Sequence, residues 1–194
     1  PDFNADCAPM LTLVMALAVA KGIRQTLRRD SEEAAAKVGI KWPNDIVVDG
    51  KKVCGILTEM SMEQGYIQHI VIGVGINVRR QEFPEEIRER AAAIDEQCGF
   101  CISRSQLIAD IMEAFEEDYE IFLQTHDLKG LRDSYAKLLL NQDREVCVLD
   151  PKGEYRGIAR GINDQGELIV EKQDGTVEEV YAGEVSVRGI YGYV

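Results

Sequence analysis

Three short segments carry residue types that chemistry can use. The first is Lys41-Trp42-Pro43-Asn44-Asp45, which brings a lysine, an amide and a carboxylate to a strand end beside a proline. Proline disfavours helix for the residue before it, so Trp42 is expected to be extended. Lysine neutralises phosphate charge, an asparagine amide both donates and accepts, and an aspartate can hold Mg2+. Together they suit a nucleotide site, although an ordinary turn with a solvated lysine uses the same types. The second segment is Lys51-Lys52-Val53-Cys54-Gly55-Ile56-Leu57. Two lysines after a tight turn are commonly a solvated hairpin end. Gly55 is less usual, because glycine weakens a strand interior and often marks close approach of a ligand or backbone. The third is Ile72-Gly73-Val74-Gly75-Ile76-Asn77. Strand alternation puts Ile70, Ile72, Val74, Ile76 and Val78 on one face, expected to be the core side, and Gly73, Gly75 and Asn77 on the other. A face bare at two positions and then offering one amide makes room for something flat. The same glycines would also accommodate a neighbouring side chain or a bulge. They are not a dinucleotide fingerprint, which needs a third glycine and a following helix.

The elements that must position these segments can be read in order. Apolar residues at helical spacing predict a helix from about Pro9 to Arg28, with the proline in a first-turn position. Strands follow at about Val38–Trp42, Ile46–Val48, Lys52–Met60 and Tyr66–Val78. Asp49-Gly50 and Gln64-Gly65 serve as the turns between them. Pro84 is expected to open a helix to about Ile94. Ser103 with Gln106 forms a capping box for a long helix to about Thr125, with Leu107, Ile111, Ala114 or Phe115, and Ile121 or Phe122 as its apolar stripe. Asp127 is expected to cap one more helix ending near Leu140. Beyond Asn141 the chain turns to short runs of Val, Ile and Tyr. Turn signals punctuate them at Asp150-Pro151-Lys152-Gly153, Asn163-Asp164-Gln165-Gly166 and Asp174-Gly175. That spacing predicts a small barrel or sandwich. The reading is two domains, 1–141 and 142–194, joined by an exposed linker near Gln142.

Bulk properties narrow the function classes. The 194 residues carry 22 basic and 34 acidic side chains, a net charge of −12. So acidic a surface argues against nucleic-acid binding by this chain, while leaving room for a local basic pocket. The apolar run Met10 to Ala20 is too short to span a bilayer and lacks the flanks of a signal peptide, so no membrane is expected. Five cysteines, an odd number spread through the chain, fit reduced thiols in the cytoplasm. Cys98 and Cys101 form a lone C-x-x-C with no second pair and no nearby histidine, which favours plain structural cysteines over zinc or redox use.

In their order and spacing, "KWPND", then "KKVCGIL" with "TEM", then "VIGVGINV" resemble the central signature of biotin–protein ligases. The stretch "DREVCVLD" and, after it, "GIARGINDQGELIVEKQDGTVEEVYAGEVSVRG" looks like the small SH3-like barrel that closes the bacterial members, so the resemblance covers nearly the whole chain. It implies an α+β fold like the class II aminoacyl-tRNA synthetase catalytic domain. That is a mixed, largely antiparallel sheet with helices on one side, followed by an SH3-like β-barrel. It implies ATP-dependent joining of biotin to a lysine of an acceptor, a biotin carboxyl carrier protein or domain, through biotinyl-5'-AMP. ATP, biotin and Mg2+ are the implied cofactors. Lys52 matches the family's catalytic lysine, near the biotin carboxylate and the ATP α-phosphate. Gly55 matches a residue whose backbone contacts biotin, and Gly73 and Gly75 match the floor beneath the ligand. Lys41, Asn44, Asp45 and Asn77 match groups around the adenylate, with Asp45 as the metal ligand. A homodimer through paired sheet edges is among what the resemblance allows.

The chain also departs from the family pattern. The glycine- and arginine-rich loop and the Ser/Thr-rich biotin-ring strand, which in the family precede the first helix, are absent from these 194 residues. The hydroxyl-bearing "ATSL" is replaced by Ala91-Ala92-Ala93-Ile94. Basic residues on the first helix, Lys21, Arg24 and Arg28, are expected to face solvent. Residues 1–194 alone are therefore expected to bind biotin and ATP weakly and to transfer little biotin. Two other functions compete: a lipoate-type protein ligase, and a non-catalytic biotin-binding or regulatory fragment.

Overall fold

A computed structural model describes residues 2–150, 153–182 and 186–189. Its centre is the helix α1, Met10–Arg28, in which 14 of 19 residues are buried. A helix with so wide an apolar surface has to be enclosed on more than one side. One flank of α1 meets the sheet and the other crosses the long helix α4, Arg104–Thr125. A Cβ at Gly22 would lie 2.5 Å from Ile111 Cγ1, so only glycine allows that crossing. The span Ala5–Arg28 is long and apolar enough to cross a bilayer by composition, longer than the run expected from sequence, yet 72% of its apolar window is buried inside the fold. It is the core helix of this fold.

Between the helices, Asp30-Ser31 does more than end a pattern. The Ser31 hydroxyl accepts from Ala34 N–H and starts a short helix α2, Glu32–Ala36. Four strands then form an antiparallel sheet in sequence order: β1 (Val38–Lys41), β2 (Asp45–Val48), β3 (Lys51–Glu63) and β4 (Tyr66–Ile76). Asp49-Gly50 and Gln64-Gly65 make the turns, each with positive φ at both residues, as a tight hairpin requires. Residues 138–140 extend the β1 side in parallel, through Ile40 N–H to Leu138 O and Leu140 N–H to Ile40 O. The sheet is thus largely antiparallel with a mixed edge, and its helices pack on one side. β4 departs from the expected burial. Ile70, Ile72 and Ile76 are half-buried and Val74 is 36% exposed, because β4 is the outer strand and the helix layer covers it only in part.

The helix expected from Pro84 to Ile94 does not form. Pro84 O accepts from the amides of Ile87 and Arg88, and Ile87 O from those of Arg90 and Ala91, but these two successive turns do not join into a helix. Between Pro84 and Ala93, Ile87 is the only large apolar residue and is itself 41% exposed, so no face drives a helix inward. Residues 90–92 run instead beside Lys52, before the short helix α3, Ile94–Cys98. Ser103 caps α4 as expected, accepting from Gln106 N–H, but the Gln106 amide reaches forward to Asp110 and not back to close a capping box. After α4, Asp127 Oδ1 accepts from Lys129 N–H, and only five residues, Arg132–Ala136 (α5), become helical.

Two aspartates on the buried face of α4 are invisible to apolar periodicity. Asp110, 2% exposed, accepts from Thr26 Oγ1 at 2.6 Å and from both terminal nitrogens of Arg29. Asp118, fully buried, holds Lys21 Nζ at 2.5 Å, so that lysine is an α1–α4 tie and not a free solvent charge. The Arg29 guanidinium, with Thr26 and Gln106, holds the Asp110 carboxyl down at about 2, below its ordinary 3.8. A depressed folded-state value means the unfolded chain binds the proton more readily. This contribution to stability is therefore complete above pH 3.8 and is lost as pH falls through about 2. Denaturation midpoints followed from pH 5 to pH 2 should show that loss, and Asp110→Asn should flatten the dependence.

From Glu145 onward a second, antiparallel sheet forms in the order β8 (Val177–Val180), β7 (Leu168–Lys172), β6 (Tyr155–Ile162), β5 (Glu145–Leu149), β9 (Ser186–Gly189). That order suits the expected SH3-like barrel. The first of its expected turns lies partly outside the described residues, at positions 151 and 152. The junction before the sheet is no exposed linker. Asn141 is fully buried, Gln142 Nε2 donates to Arg160 O, and Asp143 N–H donates to Ala159 O at 2.7 Å. Residues 79–90 are mostly exposed and lack regular structure, and they carry Arg79, Arg80, Arg88 and Arg90. Limited trypsin digestion should therefore cut at Arg80 or Arg88 before Arg144. Peptide mapping of the first fragments checks the order.

Candidate functional site

The sheet register brings the three segments into one row. Lys41 lies opposite Asp45, Asp45 opposite Gly55, and Gly55 opposite Gly75. Residues directly opposed across strands share a face, so all four look toward the side away from α1. Gly73, opposite Leu57, is on the same face one step along. Lys52 reaches it by an irregularity that alternation alone cannot foresee. A register shift after Ile46 sets Lys52 opposite Val47, which is on the Asp45 face. Its Nζ then lies 2.5 Å from Asp45 Oδ1, and Lys41 Nζ lies 3.9 Å from Asp45 Oδ2.

The glycines play two different parts. A Cβ on Gly55 would sit 3.2 Å from both Cε and Nζ of Lys52, so its bareness lets the lysine lie across the strand to Asp45. A Cβ on Gly73 or Gly75 would meet only a backbone carbonyl at 3.6 or 3.8 Å, an ordinary contact. Among the described residues no side chain needs the space over Gly73 and Gly75, and neither has a positive φ. Of the alternatives open from sequence, packing against a neighbour is therefore not supported. What remains is an open, flat strip of backbone beside a lysine.

Asn44 and Asn77 flank the row. Asn44 holds β3 in place, its Nδ2 donating to Ile56 O at 2.9 Å while its own carbonyl accepts from Ile56 N–H. Asn77 N–H donates to Val53 O, and its Oδ1 accepts from Gln81 Nε2 at 3.0 Å. Gln81 continues into a cleft of about 630 Å³ that is also lined by Lys51, Arg80 and Arg88. Sequence patterning missed this cleft, because Lys51 reads as a solvated hairpin end and Arg88 falls in the stretch expected to be helical. The backbone of residues 90–92 clamps Lys52, through Lys52 N–H to Arg90 O at 2.8 Å and Ala92 N–H to Lys52 O at 2.9 Å. Leu57, 64% exposed on the glycine face, was also not singled out. Cys54 lies on the opposite face, where burial pushes its thiol up to about 12, so it offers no nucleophile.

Lys52 brings an ammonium group to the edge of the glycine strip in an otherwise acidic protein. A flat ring can rest on the glycine strip while a phosphate or carboxylate meets Lys52. Fixed positive charge at that point favours a step in which negative charge builds up. The carboxylate of Asp45, the expected metal ligand, has protein partners in this structure. It is engaged by Lys52 and approached by Lys41, and no group of three His, Cys, Asp or Glu among the described residues could hold an ion. The residues present do not form a protein-built magnesium site.

Comparison with known proteins places this geometry in context. Residues 1–77 match the Biotin/lipoate A/B protein ligase family, and residues 143–188 match the Biotin protein ligase C terminal domain. The chain is 36% identical over 192 residues to the bifunctional ligase/repressor BirA of Bacillus subtilis, covering 96% of this chain and 55% of that protein. It is 26% identical over 192 residues to the biotin–[acetyl-CoA-carboxylase] ligase of Paracoccus denitrificans, covering 97% and 77%. The chain thus spans about half the length of the BirA relatives it matches. In structure it is similar to the biotin protein ligase of Aquifex aeolicus in complex with biotin and ATP, with a TM-score of 0.77 and 27% identity over 96% of this chain and 72% of that one.

Proposed function

The chain belongs to the biotin–protein ligase family, and on that premise we propose that it takes part in ATP-dependent biotinylation of an acceptor lysine through biotinyl-5'-AMP. The observation that carries the reading is the row Lys41–Asp45–Gly55–Gly75 with Lys52 folded across it. The bicyclic ring of biotin lies on Gly73 and Gly75. Its carboxylate attacks the ATP α-phosphorus, forming the acyl–phosphate bond and expelling pyrophosphate. Lys52 offsets the repulsion between carboxylate and triphosphate and is the catalytic residue. Asp45 holds Lys52 in place, with Lys41 beside it. Asn44 and Asn77 fix the two ends of the row. An acceptor lysine amine then attacks the acyl carbon, forms the amide and releases AMP.

Magnesium enters this reading only as the ion that accompanies ATP, and no step here runs through it. The acceptor we propose is a biotin carboxyl carrier protein or domain. The location we propose is the cytoplasm, in keeping with five cysteines that are all free thiols. The exposed edge of β4 leaves room for a second copy, so a homodimer is part of the proposal. The two domains we propose divide at residue 141, just before the second sheet begins. Supplying biotin, lipoate and octanoate in parallel with ATP, and measuring pyrophosphate released by the full-length protein, tests the reading. Release with biotin alone is expected. Release with lipoate or octanoate at equal rates would place the chain with the lipoate-type ligases.

A further inference from the structure

Trp42 sits in the middle of the Lys41–Asp45 segment, yet its side chain points away from the site and is 1% exposed. Its Nε1–H donates to Gly166 O at 2.9 Å, across 124 residues. Its backbone N–H donates to the buried Asn141 Oδ1, also at 2.9 Å. Gly166 belongs to the turn between β6 and β7, and that turn is stiff. Asn163 Oδ1 accepts from both Gln165 and Glu167 N–H, and Asn163 Nδ2 donates to Glu167 Oε2. The turn is tied from a second side, by Leu128 N–H to Asp164 O at 2.7 Å and by Arg132 to the Asp164 carboxylate at 2.7 Å. It is also pressed into place. Gly166 has φ +79°, and a Cβ there would lie 2.8 Å from Leu128 Cδ1 and 3.0 Å from Leu13 Cδ2.

We infer that Trp42 is a positioning residue that fixes the Lys41–Asp45 segment to the 163–167 turn of the second sheet. The inference rests on the biotinylation reading for its functional consequence but not for its structural content. β1 and β2 have four residues each, at the short end of the usual range, so few ladder bonds fix the Lys41–Asp45 segment with precision. An indole anchored in a rigid turn supplies that precision to the residues on either side of it. Asn44, which staples β3, and Asp45, which holds Lys52, are both within three residues of the anchor.

Two variants of the full-length protein test this. Trp42→Phe keeps an apolar ring but removes the N–H, leaving the Gly166 carbonyl without its donor. Arg132→Gln loosens the same turn from an exposed position and guards against a fold defect in the first variant. Hydrogen–deuterium exchange should accelerate about tenfold in residues 41–48 of Trp42→Phe, less in Arg132→Gln, and stay unchanged in β4. Biotin affinity should stay within about twofold while the rate constant for pyrophosphate release falls about tenfold. Unchanged exchange in 41–48, or a uniform rise through both sheets in both variants, would overturn the inference. If the wild-type protein released no pyrophosphate with biotin, the functional reading would fall, and the exchange pattern would still decide the coupling.

Discussion

Replacing Lys52 by alanine should lower pyrophosphate release by the full-length protein roughly 10- to 150-fold, with biotin and ATP saturating. The Nζ of Lys52 lies 2.5 Å from Asp45 Oδ1 and over Gly55, next to the open strip at Gly73 and Gly75. Removing it deletes a charge-assisted hydrogen bond to the reacting groups, worth about 1.5–3 kcal/mol, and each 1.4 kcal/mol is about one decade in rate. The fold should survive. The Lys52 side chain is 36% exposed, and an ion pair at that exposure adds little to stability. The thermal midpoint of Lys52→Ala is the control. Normal pyrophosphate release by a folded Lys52→Ala protein would remove the residue from its proposed role.

The second large effect concerns the floor. Gly75→Val should weaken biotin binding roughly 5- to 150-fold in calorimetry, because extra methyl groups in a filled site cost about 1–3 kcal/mol. Folding should not suffer, for two reasons. Among the described residues the nearest atom to a Cβ at Gly75 is the Gly55 carbonyl at 3.8 Å, which leaves room for the side chain in the free protein. Valine also suits a strand better than glycine does. The sign of the two effects is thus opposite, with lost ligand affinity alongside equal or higher melting temperature. A glycine kept for internal packing would give the reverse, a loss of stability with affinity intact.

The residues of the site were more legible in the sequence than the way they meet. Strand alternation alone sorts Gly73 and Gly75 from Ile72, Val74 and Ile76, and the observed register keeps that sorting. The turns at Asp49-Gly50 and Gln64-Gly65 announce themselves, because positive φ at two successive residues selects for such pairs. Lys52 is different. By simple alternation it belongs on the face opposite Gly55, and only the register shift after Ile46 turns it toward Asp45. A bulge is set by tertiary packing, here including the clamp from residues 90–92, and no local residue pattern encodes it. The failed helix after Pro84 has the same origin. A proline followed by glutamates reads as a helix start, but the backbone groups of residues 90–92 find better partners on Lys52. Asp110 and Asp118 were hidden because apolar periodicity scores a buried charge as exposed. Their partners Arg29 and Lys21 lie more than 80 residues away.

The central claim is that the ligand lies on the glycine face of the sheet against Lys52. An amide chemical-shift titration of the 194-residue chain with biotinyl-5'-AMP tests it most directly, since it reports the location of even weak binding. The account predicts that the largest shifts fall on Lys52, Gly55, Gly73 and Gly75, with smaller ones at Asp45 and Asn77. Shifts centred instead on Thr12, Thr58 and Tyr181, in the neighbouring cavity of about 440 Å³ that Asn44 and Leu57 also line, with the Lys52 and glycine amides unmoved, would contradict it.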